Sequence, residues 1–308
     1  MPFDGWMKTV QTEMEQALLA LLPASSQAPQ QLHEAMRYAT LDGGKRVRPL
    51  LVFAAGEFFG AERNLLFRAA AALEMIHAYS LVHDDMPCMD DDALRRGKPT
   101  VHKKFGEATA LLVGDALQSQ AFAVLCEDGA VGAPDDALAN TGTVADPARR
   151  LDMLGVLARA SGSLGMCGGQ AIDLASVGLP LTLAQLEQMH SMKTGALLSA
   201  AVLLGAMAGK TLSGEETAAL NSYSSAIGLA FQVVDDVLDA TADSATLGKT
   251  AGKDAADNKP TYVSILGLEQ SRQLAEKLRD DAQAALAPFA GKAQRLRELA
   301  DLIVLRKA

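Results

Sequence analysis

The chain has 308 residues and carries 28 Lys and Arg against 37 Asp and Glu, a net charge of −9. A balance that acidic argues against nucleic acid or an anionic membrane as partner, because both select for basic surfaces. Hydrophobic residues make up 49% but aromatics only 5%, and with Ala and Leu dominating the apolar content, helix is favoured over sheet.

The opening stretch, MPFDGWMKTVQTEMEQ, lacks a basic segment followed by an apolar run, so no secretory leader is expected. No stretch reads as roughly 20 apolar residues without a charge or a break. The expectation is therefore a cytoplasmic protein with no stable membrane insertion. Cys88, Cys126 and Cys167 are scattered and odd in number, which fits reduced thiols.

In chain order, the first chemical signal is GGKRVRP, which sets Lys45, Arg46 and Arg48 between a Gly pair and Pro49, on a turn that opens a helix. Leu66, Ala69, Ala70, Leu73, Ile76, Ser80 and Leu81 then recur at spacings of three and four, one apolar helical stripe. That helix runs into HDDMPCMDDD, where Asp84, Asp85 and Asp90 form a D-D-x4-D pattern. His77, Ser80 and Asp84 share one helix face. On an unbroken helix Asp90 would turn well away from Asp84, but Pro87 biases Met86 out of the helical region. The helix should end there, letting a loop bring Asp90 back. Arg95 and Arg96 follow directly.

Residues 127–150, rich in Gly, Pro, Ala and Asp, read as an exposed, mobile loop inside a single domain spanning 1–308, because helical segments with related chemistry lie on both sides. Gly168-Gly169-Gln170 and Asp173 place polar groups on an apolar helix. Lys193-Thr194-Gly195 begins another, in which Leu197, Ala200, Ala201 and Leu204 are periodic. Ile227, Phe231 and Val234 mark the helix that carries FQVVDDVLD. There Asp235 and Asp239 stand at i and i+4, with Asp236 between them and Gln232 one turn earlier. Lys249 and Lys259 follow. No alternating strand pattern stands out.

A lone acidic run is usually a solvated face or a helix cap. Here two clusters about 150 residues apart each end an apolar helix, and closely spaced carboxylates repel unless a cation joins them. Oxygen ligands without His or Cys favour magnesium, which bridges carboxylates to substrate phosphates. The neighbouring Arg and Lys suit the same anion, Arg as a planar fork and Lys as a point charge.

The ordered stretches GGKRVRP, IHAYSLVHDDMPCMDDDALRRGKPTVH, GGQAIDL, KTGAL, FQVVDDVLD, LGKTAGKD and DNKPTY together resemble the trans-prenyl diphosphate synthases of the bacterial farnesyl type. The resemblance implies an all-α fold around a deep cavity, usually as a homodimer. It implies that Asp84, Asp85 and Asp90, with Asp235, Asp236 and Asp239, hold magnesium, three ions per site, against an allylic diphosphate. Arg95, Lys193, Thr194, Gln232, Lys249 and Lys259 match positions that contact that diphosphate or its metals. Lys45, Arg48, His77 and Arg96 match the site for isopentenyl diphosphate. The catalytic set is then Asp84, Asp90, Lys193, Asp235 and Lys249. An aromatic at Tyr79, beside Ser80, goes with a fifteen-carbon product, and a geranylgeranyl product is the alternative. A terpene cyclase or a non-catalytic synthase subunit would share the fold, but the second basic site and the complete clusters disfavour both.

Overall fold

Helix formers arranged at helical spacing build an all-α protein. The computed structural model describes residues 1–127, 131, 146–241 and 260–306. Lys249, Lys259 and most of the expected loop lie outside the described residues. The chain divides into two compact units, Met1–Leu154 with Leu204–Lys210, and Gly155–Leu203 with Thr211–Ala308.

The first unit contains α1 (Phe3–Leu21), α2 (Gln30–Thr40), α3 (Val47–Phe58), α4 (Arg63–Asp84), α5 (Val101–Phe105) and α6 (Glu107–Cys126). Between α4 and α5 lies a short antiparallel pair, β1 (Leu94–Arg95) and β2 (Lys98–Pro99), with Arg95 opposite Lys98. Two-residue strands are too short to leave an alternating pattern. The pair turns through Arg96 and Gly97, both at positive φ, as a two-residue hairpin requires.

The centre of this unit is α4, packed against α3 and α6. The stripe Leu66, Ala69, Ala70, Leu73 and Ile76 is buried, and so are Ala71, Ala72 and Met75. A helix apolar on every side belongs in an interior. By length and composition α4, α6 and Leu183–Gly209 could each cross a membrane, although each carries a charge within it: Arg68 and Glu74 in α4, Asp115 in α6 and Lys193 in the third. The physical reason is that Ala and Leu keep hydropathy high across helices carrying very few charges. For α4 the apolar environment is the protein itself, since 78% of its most apolar window is buried.

The helix α7 (Pro147–Ser161) carries the chain from the first unit to the second. Asp146 accepts the amide of Ala148 at 3.1 Å, capping a helix with Pro at its first position, where the missing N–H costs nothing. Residues 147–150, read as loop from composition, are therefore helical.

The second unit comprises α8 (Met166–Ala175), α9 (Leu183–His190), a π-helical turn (Ser191–Gly195) that runs straight into α10 (Ala196–Gly209), α11 (Gly214–Thr241), α12 (Tyr262–Leu266), α13 (Leu268–Ala285), a 3₁₀ segment (Ala287–Ala293) and α14 (Gln294–Leu305). The last residues of α10 return to the first unit. Leu186, Met189, Val233, Val234, Tyr262 and Ala275 form a core beneath the second aspartate cluster. The Tyr223 hydroxyl donates to the Leu296 carbonyl at 2.6 Å, tying α11 to α14.

Candidate active site

On α4 the enclosure fails along one line. His77, Ser80, Leu81 and Asp84 are partly exposed, at spacings of three, four and seven, while most of the helix is buried. That is the face on which His77 and Asp84 were expected. The helix ends at Asp84, and the chain turns back through Pro87 so that the Asp90 amide donates to the Asp84 carbonyl at 2.9 Å. The backbone therefore returns Asp90 to the end of α4.

Asp85 differs from its neighbour Asp84. It is buried, and the Arg95 guanidinium forks onto it, Nε at 2.8 and 2.9 Å from the two carboxylate oxygens and Nη2 at 2.6 Å from Oδ1. Burial pushes Asp85 above the usual carboxylate range and the Arg95 contact opposes this. Burial acts to lower Arg95, but its bonds and charge pairing with Asp85 outweigh that and raise it. Arg95, expected to meet a diphosphate, thus also braces the middle carboxylate.

Four cations gather behind this face. Burial, then the charges of Arg48, Arg96, Arg95 and Arg46, holds His77 well below its ordinary pKa. The ring is neutral at pH 7 and able to donate one hydrogen bond. Burial lowers Arg48, Glu74 opposes it and Arg96 adds to it, and Arg48 Nε is buried without a hydrogen-bond partner. A buried guanidinium so placed suits an anion. Arg96 sits at φ 52°, a left-handed conformation that costs a side-chain-bearing residue about 1–2 kcal/mol. Its guanidinium lies against the Gly43-Gly44 backbone, where a Cβ on Gly43 would come within 2.6 Å of Nη1. Lys45 is exposed on the same loop. Arg46 is not part of this face. It is buried, bonding Glu74 at 2.5 Å, Glu15 at 2.7 Å and the Thr40 carbonyl at 2.9 Å. Glu74 is the residue the sequence reading passed over, although a carboxylate inside so apolar a helix was a signal.

In the second unit Gln232 and Asp235 are partly exposed on α11, whereas Asp236 and Asp239 are buried. Asp236 Oδ2 accepts the Tyr262 amide at 2.7 Å. Asp235 Oδ1 accepts from Arg306 Nη2 at 2.6 Å, and the same nitrogen reaches the Phe231 carbonyl at 2.9 Å. Nothing local in the sequence links Arg306 to this cluster.

The π-helical turn presents the next two residues. Lys193 Nζ bonds Asp173 Oδ2 at 2.5 Å, and the Thr194 hydroxyl donates to Gln232 Oε1 at 2.6 Å. Gln170 Oε1 is buried nearby in sequence on α8 without a hydrogen-bond partner. In the first unit, Tyr79 is buried with its ring edge-on to His83 at 5.9 Å, and Ser80 bonds back to the His77 carbonyl at 2.9 Å.

Among the described residues no three Asp, Glu, His or Cys side chains are gathered as a ready-made metal cage. Three of the clustered acids turn to groups of this chain instead: Asp85 to Arg95, Asp236 to the Tyr262 amide and Asp235 to Arg306. The donor set, carboxylates without imidazole or thiolate, still fits magnesium, which is commonly held by one or two carboxylates together with substrate phosphates and water.

Residues 29–289 match the family model described as polyprenyl synthetase. Over 276 residues the chain is 49% identical to the farnesyl diphosphate synthase of Escherichia coli (strain K12), covering 89% of this chain and 88% of that protein. Among solved structures it resembles an FPP/GFPP synthase from Zymomonas mobilis, with 41% identity, a TM-score of 0.83 and 98% of each chain covered. It also resembles a geranyltransferase from Helicobacter pylori complexed with magnesium and isoprenyl diphosphate, with 31% identity, a TM-score of 0.81, and 99% of this chain and 97% of that one covered.

Proposed function

This chain belongs to the polyprenyl synthetase family, and on that premise we propose how its two carboxylate faces share one reaction. It is a prenyltransferase that condenses isopentenyl diphosphate head to tail with allylic diphosphates to give farnesyl diphosphate. The division of labour is the one the resemblance implies, residue by residue. Lys45, Arg48, His77 and Arg96 take the diphosphate of isopentenyl diphosphate. Arg95, Lys193, Thr194, Gln232, Lys249 and Lys259 serve the allylic diphosphate and its metals.

The six aspartates would hold three magnesium ions, which would supply Lewis-acid stabilisation of the departing diphosphate. Asp85 and Asp236, braced by Arg95 and the Tyr262 amide, lend charge and orientation. Lys193 and Lys249 neutralise charge as the allylic C–O bond ionises. Arg48, Arg96 and neutral His77 fix the second substrate so that its double bond faces the allylic carbon, turning an encounter into a first-order step. The leaving diphosphate takes the final proton, since among the described residues no side chain stands out as a dedicated base. The Ala- and Leu-lined interior keeps water from the cation.

The reading rests on one observation: the partly exposed His77–Asp84 line on the largely buried α4, with Arg48 and Arg96 acting on His77 and Arg95 on Asp85. Exposed Leu111 and Leu112 on α6 support a homodimer, and three exposed, unpaired cysteines support a reducing cytoplasm.

The test is to incubate the protein with isopentenyl diphosphate, each allylic primer and magnesium, then chromatograph the prenyl alcohols. Fifteen-carbon product that requires isopentenyl diphosphate is expected, and product formed without it would indicate a cyclase. Asp84→Ala and Asp235→Ala should lower turnover by about 10³-fold with folding intact. Near-normal turnover in both would reject the metal assignment.

A further inference from the structure

The π-helical turn Ser191–Gly195 is held from both sides by the same device. On α8, Gly169 faces the backbone of Lys193, where a Cβ would lie 2.1 Å from the amide nitrogen and 2.5 Å from Cα. Four residues on, Asp173 binds the Lys193 ammonium at 2.5 Å. On α11, Gly228 faces Gly195, where a Cβ would lie 3.0 Å from its Cα. Four residues on, Gln232 accepts the Thr194 hydroxyl at 2.6 Å. Residues at i and i+4 share a helix face, so each flanking helix offers one notch for the turn's backbone and one polar group for its side chain.

Glycine inside a helix is disfavoured relative to alanine, so both positions need a packing reason, and the close approaches supply it. A π turn holds one residue more than an α turn and is wider. A wide turn meets its neighbours' backbones unless they recede.

We propose that Gly169 and Gly228 are positioning residues for the allylic diphosphate, admitting the π turn so that Lys193 and Thr194 are presented in register with Asp173 and Gln232. The inference rests on the reading of Lys193 and Thr194 as allylic-diphosphate residues. A methyl at Gly169 must push the Lys193 backbone by about an ångström, and displacements of that size at a reacting group cost on the order of 10²-fold in rate. A methyl at Gly228 needs only a few tenths of an ångström and should cost less.

The experiment compares Gly169→Ala, Gly228→Ala, Lys193→Ala and the Gly169→Ala/Lys193→Ala double variant. Gly205→Ala is the control, because a Cβ there would lie 2.2 Å from the Val52 carbonyl, an equally tight contact remote from the turn. Thermal midpoints and separate kinetics for geranyl and isopentenyl diphosphate are measured. Gly169→Ala should lower kcat/KM for geranyl diphosphate about 10²-fold and Gly228→Ala about tenfold, with KM for isopentenyl diphosphate within about twofold. With Lys193 already truncated, adding Gly169→Ala should cost less than about threefold more. Gly205→Ala should lower the midpoint alone. Should Gly169→Ala not fold, the split between the two KM values in Gly228→Ala decides. Glycine variants that behave like Gly205→Ala, or that add fully to Lys193→Ala, overturn the proposal. An inert Lys193→Ala would overturn the reading beneath it instead.

Discussion

Arg306 lays its guanidinium on Asp235, Nη2 to Oδ1 at 2.6 Å, across 71 residues of sequence, while Cζ of the same group lies over the Phe231 ring, 4.0 Å from its centroid. The first carboxylate of the second cluster therefore has a cation from its own chain. Any metal that uses Asp235 must share or displace it. With Asp235 partly exposed, the contact is worth about 1 kcal/mol. Arg306→Gln should bind Mn²⁺ about fivefold more tightly, read from the free-ion electron paramagnetic resonance signal. Unchanged or weaker binding would show that Arg306 does not compete.

The Arg95 fork on Asp85 makes a second expectation. If Asp85 acts through Arg95, Asp85→Asn and Arg95→Gln should lower kcat/KM by amounts that do not add, with a coupling of about 1–3 kcal/mol in the double-variant cycle. Asp85→Asn also leaves the half-buried Arg95 guanidinium leaning on the longer Asp92 contact at 3.7 Å, so its unfolding midpoint should drop. Full additivity would mean the two residues work separately, with Asp85 as an independent ligand.

Tyr79 is buried, 8% exposed, with its ring against His83. It lies five residues before Asp84, about 7–8 Å along the helix axis. If it is the floor met by the growing tail, Tyr79→Ala should shift the product from fifteen carbons to twenty or more. Tyr79→Phe should leave it unchanged. Truncating a buried aromatic costs about 3–5 kcal/mol, so product length is best read well below the variant's melting point. A product still stopping at fifteen carbons would remove Tyr79 from this role.

His190 is stacked on Tyr262, 5.6 Å between centroids, and neither ring nitrogen has a hydrogen-bond partner. Burial, opposed by Asp173 and assisted by Lys193, lowers its pKa from 6.5 to about 4. Between those values the unfolded chain binds the proton and the folded chain does not. Stability is therefore lost as pH falls from about 6.5 to about 4, by up to about 3 kcal/mol from this residue. Denaturant unfolding at pH 7 and pH 4.5 checks it. His190→Phe, which keeps a stacked ring, should lose less stability than the parent over that interval, and an equal loss would acquit His190.

Much of this protein was legible without coordinates, for local reasons. Ala and Leu at helical spacing specify α4 and α10, Pro87 ends α4 just after Asp84, and i to i+4 spacing puts Gln232 and Asp235 on one side of α11. Asp146-Pro147 was a readable helix start, missed because its flank was Gly- and Asp-rich. What only the tertiary structure decided is which charge answers which. Arg95 goes to Asp85, Arg46 to Glu74, Lys193 to Asp173 and Arg306 to Asp235, choices made by burial and by neighbours distant along the chain. The π turn was equally hidden, because it follows from two glycines on other helices rather than from its own residues. Periodicity reports which face of a helix is apolar; it carries no record of what that face will meet.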